Sequence, residues 1–173
     1  MTIRKILTEP DPFLRQKSKD IEIVDNEIRN LMDDMLDTMY AAPGIGLAAI
    51  QVGIPKRIIV IDLSKEEEKK PLYFVNPKII LKSDSNATYE EGCLSVPGQF
   101  AEIDRPDKCH VNYLDYNGKQ QEIKAEGLLA TCIQHEIDHL EGILFIDYLS
   151  KLQKNYIVKK LSKQKKILER IVV

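Results

Sequence analysis

The stretch GLLATCIQHEIDHL, residues 127–140, decides how the rest of the chain is read. At 100° per residue, Leu128, Leu129, Cys132, Ile133, His135, Glu136, His139 and Leu140 share one side of a helix. Thr131, Gln134 and Asp138 fall on the other side. Two of the chain's three histidines stand one turn apart here, and Glu136 directly follows the first. Imidazoles at i and i+4 can converge on one metal ion, while a carboxylate at i+1 misses the ion and faces a water bound to it. Metal-assisted hydrolysis needs those parts: a Lewis acid, an activated water and a carboxylate to move its proton. The competing reading is a pair of core histidines satisfied by hydrogen bonds. It leaves the charge of Glu136 on the same half-buried face with its desolvation uncompensated.

A catalytic metal wants a third protein ligand and one open position. The longer pattern H-E-x-x-H-x-x-G-x-x-H is followed through Gly142, but Phe145 stands where the last histidine belongs. The downstream acids are Glu141 on the adjacent turn, Asp147 just past the helix end and Glu169 in a basic tail. Cys132 shares the histidine face, yet sits roughly 7.5 Å along the axis from the midpoint of the pair, beyond the roughly 5 Å that a cysteine spans from Cα to metal. Cys109 and His110 open a strand with no turn to present them. Cys93 lies in EGCLSVPG, residues 91–98, a tight non-helical segment that can carry a thiolate to a helix face. A lone cysteine is more often a small buried hydrophobe, so the spacing leaves the third ligand open.

Working outward, Ile28, Leu31, Met32, Met35, Leu36 and Met39 follow the spacing of a helix that buries one face, with Asp25 or Asn26 as cap and Pro43-Gly44 as terminator. GIGLAAIQ, residues 44–51, pairs two glycines with two alanines, which suits a close backbone approach or a small-residue strand under a helix. RIIVIDL reads as a strand, and so does YFVNPKIIL, where Pro77 implies an edge position or a bend. Asn117-Gly118 between two strand-like runs signals a hairpin. A third helix is expected from near Tyr148 into the tail. Helices at both ends enclosing short antiparallel strands predict an α+β fold in which the histidine helix is central.

At 173 residues the chain suits a single domain, 1–173, with a basic C-terminal helix over 150–173. The net charge of −2 is uneven: residues 151–173 carry +7, which leaves −9 for the rest. No run approaches the roughly 18 apolar residues of a membrane span, and acids and prolines at 9–12 interrupt any secretory leader. Three cysteines make no disulfide framework, so a reducing cytoplasm is expected; separately, the protein is expected to be a monomer.

GIGLAAIQ, EGCLS and QHEIDHLEG, in this order, resemble the signature of the bacterial peptide deformylases, and the likeness extends over nearly the whole chain. The resemblance implies that Cys93, His135 and His139 bind one divalent metal. Fe²⁺ is expected in the cell, and Zn²⁺, Ni²⁺ or Co²⁺ can substitute. It implies Glu136 as general base, with the backbone N–H of Leu94 and the amide of Gln51 as oxyanion donors. Ile45, Gly46 and Gly92 would pair with the substrate backbone, and Tyr89, Leu128 and Cys132 would shape a methionine pocket. The implied reaction removes the formyl group from N-formylmethionyl nascent peptides and releases formate. The implied partner is the ribosome, met by the basic helix through Lys159, Lys160, Lys163, Lys165, Lys166 and Arg170. Phe100 stands where some relatives carry arginine, and Thr131 where a bulkier aliphatic is common, so side-chain preference is the open question.

Overall fold

Asp25 starts the first helix, α1 (Asn26–Ala41), by accepting the Ile28 N–H at 2.9 Å. In this computed structural model, which describes residues 2–64 and 68–171, seven strands follow. They are β1 (Gly46–Ala48), β2 (Ile58–Ile61), β3 (Leu72–Lys82), β4 (Asn86–Cys93), β5 (Val96–Pro106), β6 (Lys108–Leu114) and β7 (Gln120–Glu126). The histidine helix is α2 (Gly127–Leu140), and α3 (Lys151–Ile171) closes the chain. The fold is α+β, as expected.

Two antiparallel sheets form, one of five strands in the order β1-β2-β3-β6-β7 and one made of the β4–β5 hairpin. Strand alternation splits the large sheet between two helices. Leu47, Ile58, Val60 and Val75 pack with Met32, Met35 and Met39 of α1. Ala48, Ile59, Ile61 and Phe74 pack with Ala130, Ile133, Ile137 and Leu140 of α2. With both faces covered, β2 is wholly buried and its sequence is a continuous apolar run. A third cluster joins Val96 and Ile103 of β5 to Phe145, Ile146, Ile157 and Leu161. The histidine helix is therefore enclosed between the large sheet and the hairpin. Its second side is buried too, since Thr131 and Gln134 are each only 3% exposed.

Three departures from the sequence reading have physical causes. The β4–β5 hairpin occupies a region assigned no strands, and its solvated outer face hides the alternation behind charged and polar residues. Pro77 marks a bend but no edge: β3 is interior, and the register shifts between Val75 and Lys78. Asn76, with φ of 50°, absorbs that shift while its side chain bonds the Ile21 N–H at 2.8 Å and the Ile21 carbonyl at 2.7 Å. Finally, Phe145–Tyr148 form a 3₁₀ turn, and α3 begins three residues later, where Ser150 and Gln153 cap each other reciprocally. Asn117-Gly118 lies in the β6–β7 turn as expected, Gly118 at a φ of 76°.

Asn76→Ala removes two hydrogen bonds and forces a β-carbon residue to hold a left-handed backbone. Unfolding free energy from urea titration should fall by about 2–4 kcal/mol. Asn76→Gly, which relieves the backbone, should lose about 1 kcal/mol less.

Candidate metal centre and active site

Strand β4 ends at a register shift between Gly92 and Cys93, and the turn to Val96 sets Cys93 against α2. Cys93 Sγ lies 3.3 Å from His139 Nε2. One donor atom from each of Cys93, His135 and His139 falls within 4.8 Å of the others, the only such Cys/His/Asp/Glu group found among the described residues. The two rings meet edge to face at 5.0 Å between centroids. Phe145, which takes the place of the missing third histidine, stacks on His135 at 6.2 Å.

The donor set suits a divalent transition metal: one thiol that binds as thiolate, and two imidazoles. His135 Nδ1 lies 2.8 Å from Glu91 Oε2, so its proton belongs on that side and Nε2 is left to the cluster. His139 is fully buried, and its Nδ1 has no hydrogen-bond partner. Burial, with the positive charge of His135 nearby, holds its pKa well below the usual imidazole value, which keeps the ring neutral. For His135 burial works the other way from its bonds to Cys93 and Glu91, and the bonds prevail, raising the pKa. Cys132 stands outside the cluster. Burial pushes its thiol up to about 12, so it remains a neutral, apolar wall.

A cavity of about 450 Å³ opens beside the donors. Its lining includes each of the residues expected from the sequence at a substrate site: Ile45, Gly46, Gln51, Tyr89, Gly92, Leu94, Leu128 and Cys132, with Glu136 and His135. Leu128 is 43% exposed and forms rim, whereas Cys132 is buried at 7% and forms wall. Phe100, 66% exposed, also borders the cavity, with its ring close over Gly92. Gln51 is nearly inaccessible. Its Oε1 accepts the Ala48 N–H at 2.8 Å, and its Nε2 donates to Ser95 Oγ at 3.0 Å while lying 3.5 Å from Cys93 Sγ. The Ile45 carbonyl accepts the Asp62 N–H at 3.0 Å, and Asp62 is in turn held by Tyr40.

Glu136 is 5% exposed, and its Oε2 is without a partner. Burial raises its pKa to about 7, against the opposing pull of His135. A carboxyl poised near neutrality can both take and return a proton. Gly46 gives it room: a Cβ there would overlap Oε1 and lie 2.9 Å from the carboxyl carbon.

Sequence reasoning missed the groups behind His135. Glu91 is 6% exposed and Arg105 3%; Arg105 donates to Glu91 through Nε at 2.5 Å and Nη2 at 3.0 Å, and to Asp138 through Nη1 at 2.7 Å. Despite burial, the bonds from His135 and Arg105 keep the Glu91 pKa low and the group ionised. Asp138, one turn from His135, was a legible signal for such a partner. Arg105 was not, because its strand went unread.

Comparison with known proteins agrees with this geometry. The family model described as polypeptide deformylase matches residues 3–155. A peptide deformylase of Pelagibacter ubique is 69% identical over 174 residues, covering 100% of both chains. One from Phenylobacterium zucineum is 60% identical, covering 96% of this chain and 99% of that one. Among solved structures, the peptide deformylase of Ehrlichia chaffeensis superposes with a TM-score of 0.91 at 45% identity, covering 96% of this chain and 98% of that chain. The same organism's protein in complex with actinonin gives a TM-score of 0.91 at 47% identity, covering 95% and 98%.

Proposed function

Because this chain belongs to the polypeptide deformylase family, we propose that it hydrolyses the formyl group from the N-terminal formylmethionine of nascent peptides, with Glu136 as its proton carrier. The observation that carries this reading is the gathering of Cys93, His135 and His139 into one cluster, with Cys93, His135 and Glu136 on the wall of one cavity. Those three residues would hold a divalent ion, Fe²⁺ in the cell with Zn²⁺, Ni²⁺ or Co²⁺ as substitutes, that supplies a Lewis acid and makes nearby water acidic.

The protein's own groups do the rest. Glu136 accepts a proton from the attacking water as its oxygen bonds the formyl carbon. The carbonyl oxygen gains charge, and the Leu94 N–H and the Gln51 amide are the donors we assign to it. Gln51 suits that task because its oxygen is already committed to Ala48, which turns the NH₂ group toward Cys93. Glu136 returns the proton to the departing nitrogen, the C–N bond breaks, and formate and a free amine leave. Ile45, Gly46 and Gly92 offer backbone groups on either side of the cavity for an extended peptide to join as a strand. Tyr89, Leu128 and Cys132 would surround the methionine side chain.

We further propose one domain over 1–173 and a ribosomal role for α3. Lys159, Lys160, Lys163, Lys165, Lys166 and Arg170 are all exposed while Ile157 and Leu161 pack on the body. Cosedimentation with ribosomes should weaken steeply between 50 and about 200 mM salt if these contact phosphates. Truncation before the lysines should abolish it.

The enzymatic reading is tested by formate release from a formyl-methionyl peptide, with the iron form prepared without oxygen. Glu136→Ala should lower turnover by at least about 10³-fold while the metal stays bound. Cys93→Ala should instead lose the metal, read by elemental analysis after dialysis. Turnover that survives Glu136→Ala would remove the proton carrier from this scheme.

Gly46→Ala drives a methyl group into the Glu136 carboxylate. The expected outcome is a fall in kcat of about 10–100-fold with metal content unchanged. Retained kcat would mean that the carboxylate has another place to stand.

A further inference from the structure

Behind His135 a continuous line of polar contacts runs to the surface and ends outside the cavity, at the base of α3. Glu91 Oε2 is 2.8 Å from His135 Nδ1. Arg105 grips both oxygens of Glu91, and from its remaining nitrogen it reaches Asp138 Oδ2 at 2.7 Å. The Tyr148 hydroxyl donates to the same Asp138 oxygen at 2.7 Å and lies 3.4 Å from Arg105 Nη1. The Tyr148 ring also covers the guanidinium, 4.8 Å from its carbon to the ring centroid. Tyr148 is half-exposed and is the last residue of the 3₁₀ turn that leads to α3.

A guanidinium is a rigid plane with a fixed fork of donors. Here one edge is committed to Glu91, another to Asp138, and a face to Tyr148. If the plane turns, the carboxylate of Glu91 must follow, and with it the imidazole that Glu91 orients. Tyr148 is the one member contributed from outside α2, β4 and β5, so it ties the seating of the C-terminal helix to His135.

Building on the metal site proposed above, we propose that Tyr148 is a positioning residue for that site: through Asp138 and Arg105 it fixes Glu91 against His135, and so governs how firmly the ion is retained. Partners of metal ligands are typically worth 10–100-fold in metal affinity. Two residues, Asp138 and Arg105, stand between Tyr148 and Glu91, and a smaller effect follows.

The test is the rate at which Co²⁺-loaded protein gives up its ion to a chelator, followed by the visible absorption of the Co²⁺–thiolate centre. Four proteins form a cycle: wild type, Tyr148→Phe, Glu91→Gln and the double variant. Tyr148→Phe keeps the ring over Arg105 and removes only the hydroxyl. It should speed release about three- to tenfold, and Glu91→Gln at least about tenfold. Because both act through one chain of contacts, the double variant should release scarcely faster than Glu91→Gln alone. Unchanged release in Tyr148→Phe, or effects that simply multiply in the double variant, would overturn the proposal. Should Glu91→Gln not fold, Asp138→Asn takes its place in the cycle with the same outcomes. A wild-type protein that takes up no Co²⁺ would refute the metal site itself, a result distinct from either.

Discussion

The enclosure of α2 is the constraint on which the rest of the structure depends. A helix bearing two imidazoles and a carboxylate is sealed between two sheets, with His135, Glu136 and His139 at 8%, 5% and 0% exposure. Unpaired polar and charged groups at such depth cost several kcal/mol each. The fold offsets that cost with one buried cation, Arg105, placed where it serves Glu91 and Asp138 together. Glu91 then serves His135. Among the described residues of this network, Glu91, Asp138 and Arg105 are paired, and Glu136 Oε2 is left without a partner at the cavity wall.

Bringing the sulfur to this helix is the task of the β4–β5 hairpin. Glu91 and Cys93 are two residues apart near the end of β4, so one strand delivers both a sulfur donor and the acid that orients a nitrogen donor. The turn is fixed from a third direction. The Ser95 carbonyl accepts the Glu9 N–H at 2.8 Å, and the Ser95 hydroxyl accepts from Gln51 at 3.0 Å. Position therefore comes from three separate stretches of chain meeting at one point. Packing of β5 on the 3₁₀ turn and α3 through Val96, Phe145 and Leu161 holds the hairpin down.

The sequence shows some of this plainly and conceals the rest for identifiable reasons. His135, Glu136 and His139 are legible because helical spacing alone puts them together. The apolar period of α1 and the solid apolar run of β2 are legible because each is buried in the manner its pattern implies. Cys93 is not settled by spacing: whether a loop reaches a helix depends on long-range pairing, and only resemblance to a family picks it out. Pro77 misleads about the edge because Asn76, by adopting a left-handed backbone and bonding Ile21, lets an interior strand tolerate a proline. The β4–β5 strands escape notice because a two-stranded sheet with one solvated face needs few apolar residues. With that hairpin unread, Arg105 and its bond to Glu91 could not be foreseen.

The donors and their surroundings argue for what the centre is built to hold. Within a few ångströms stand Glu91, Glu136, Asp138 and a cysteine, against the single permanent cation Arg105, while burial keeps His139 neutral. The raised pKa of His135 and the Glu136 pKa of about 7 offset part of that negative charge. A purely structural ion would be closed off by four protein donors. Three gather here, at the border of a cavity lined by Gln51 and Glu136, neither of which a structural site would use. Glu91 and Asp138 are held by Arg105 behind His135, whereas the Glu136 carboxyl stands on the cavity side. Gly46 leaves that carboxyl the space it occupies, and a carboxyl whose pKa is raised by burial to about 7 is able both to take and to return a proton.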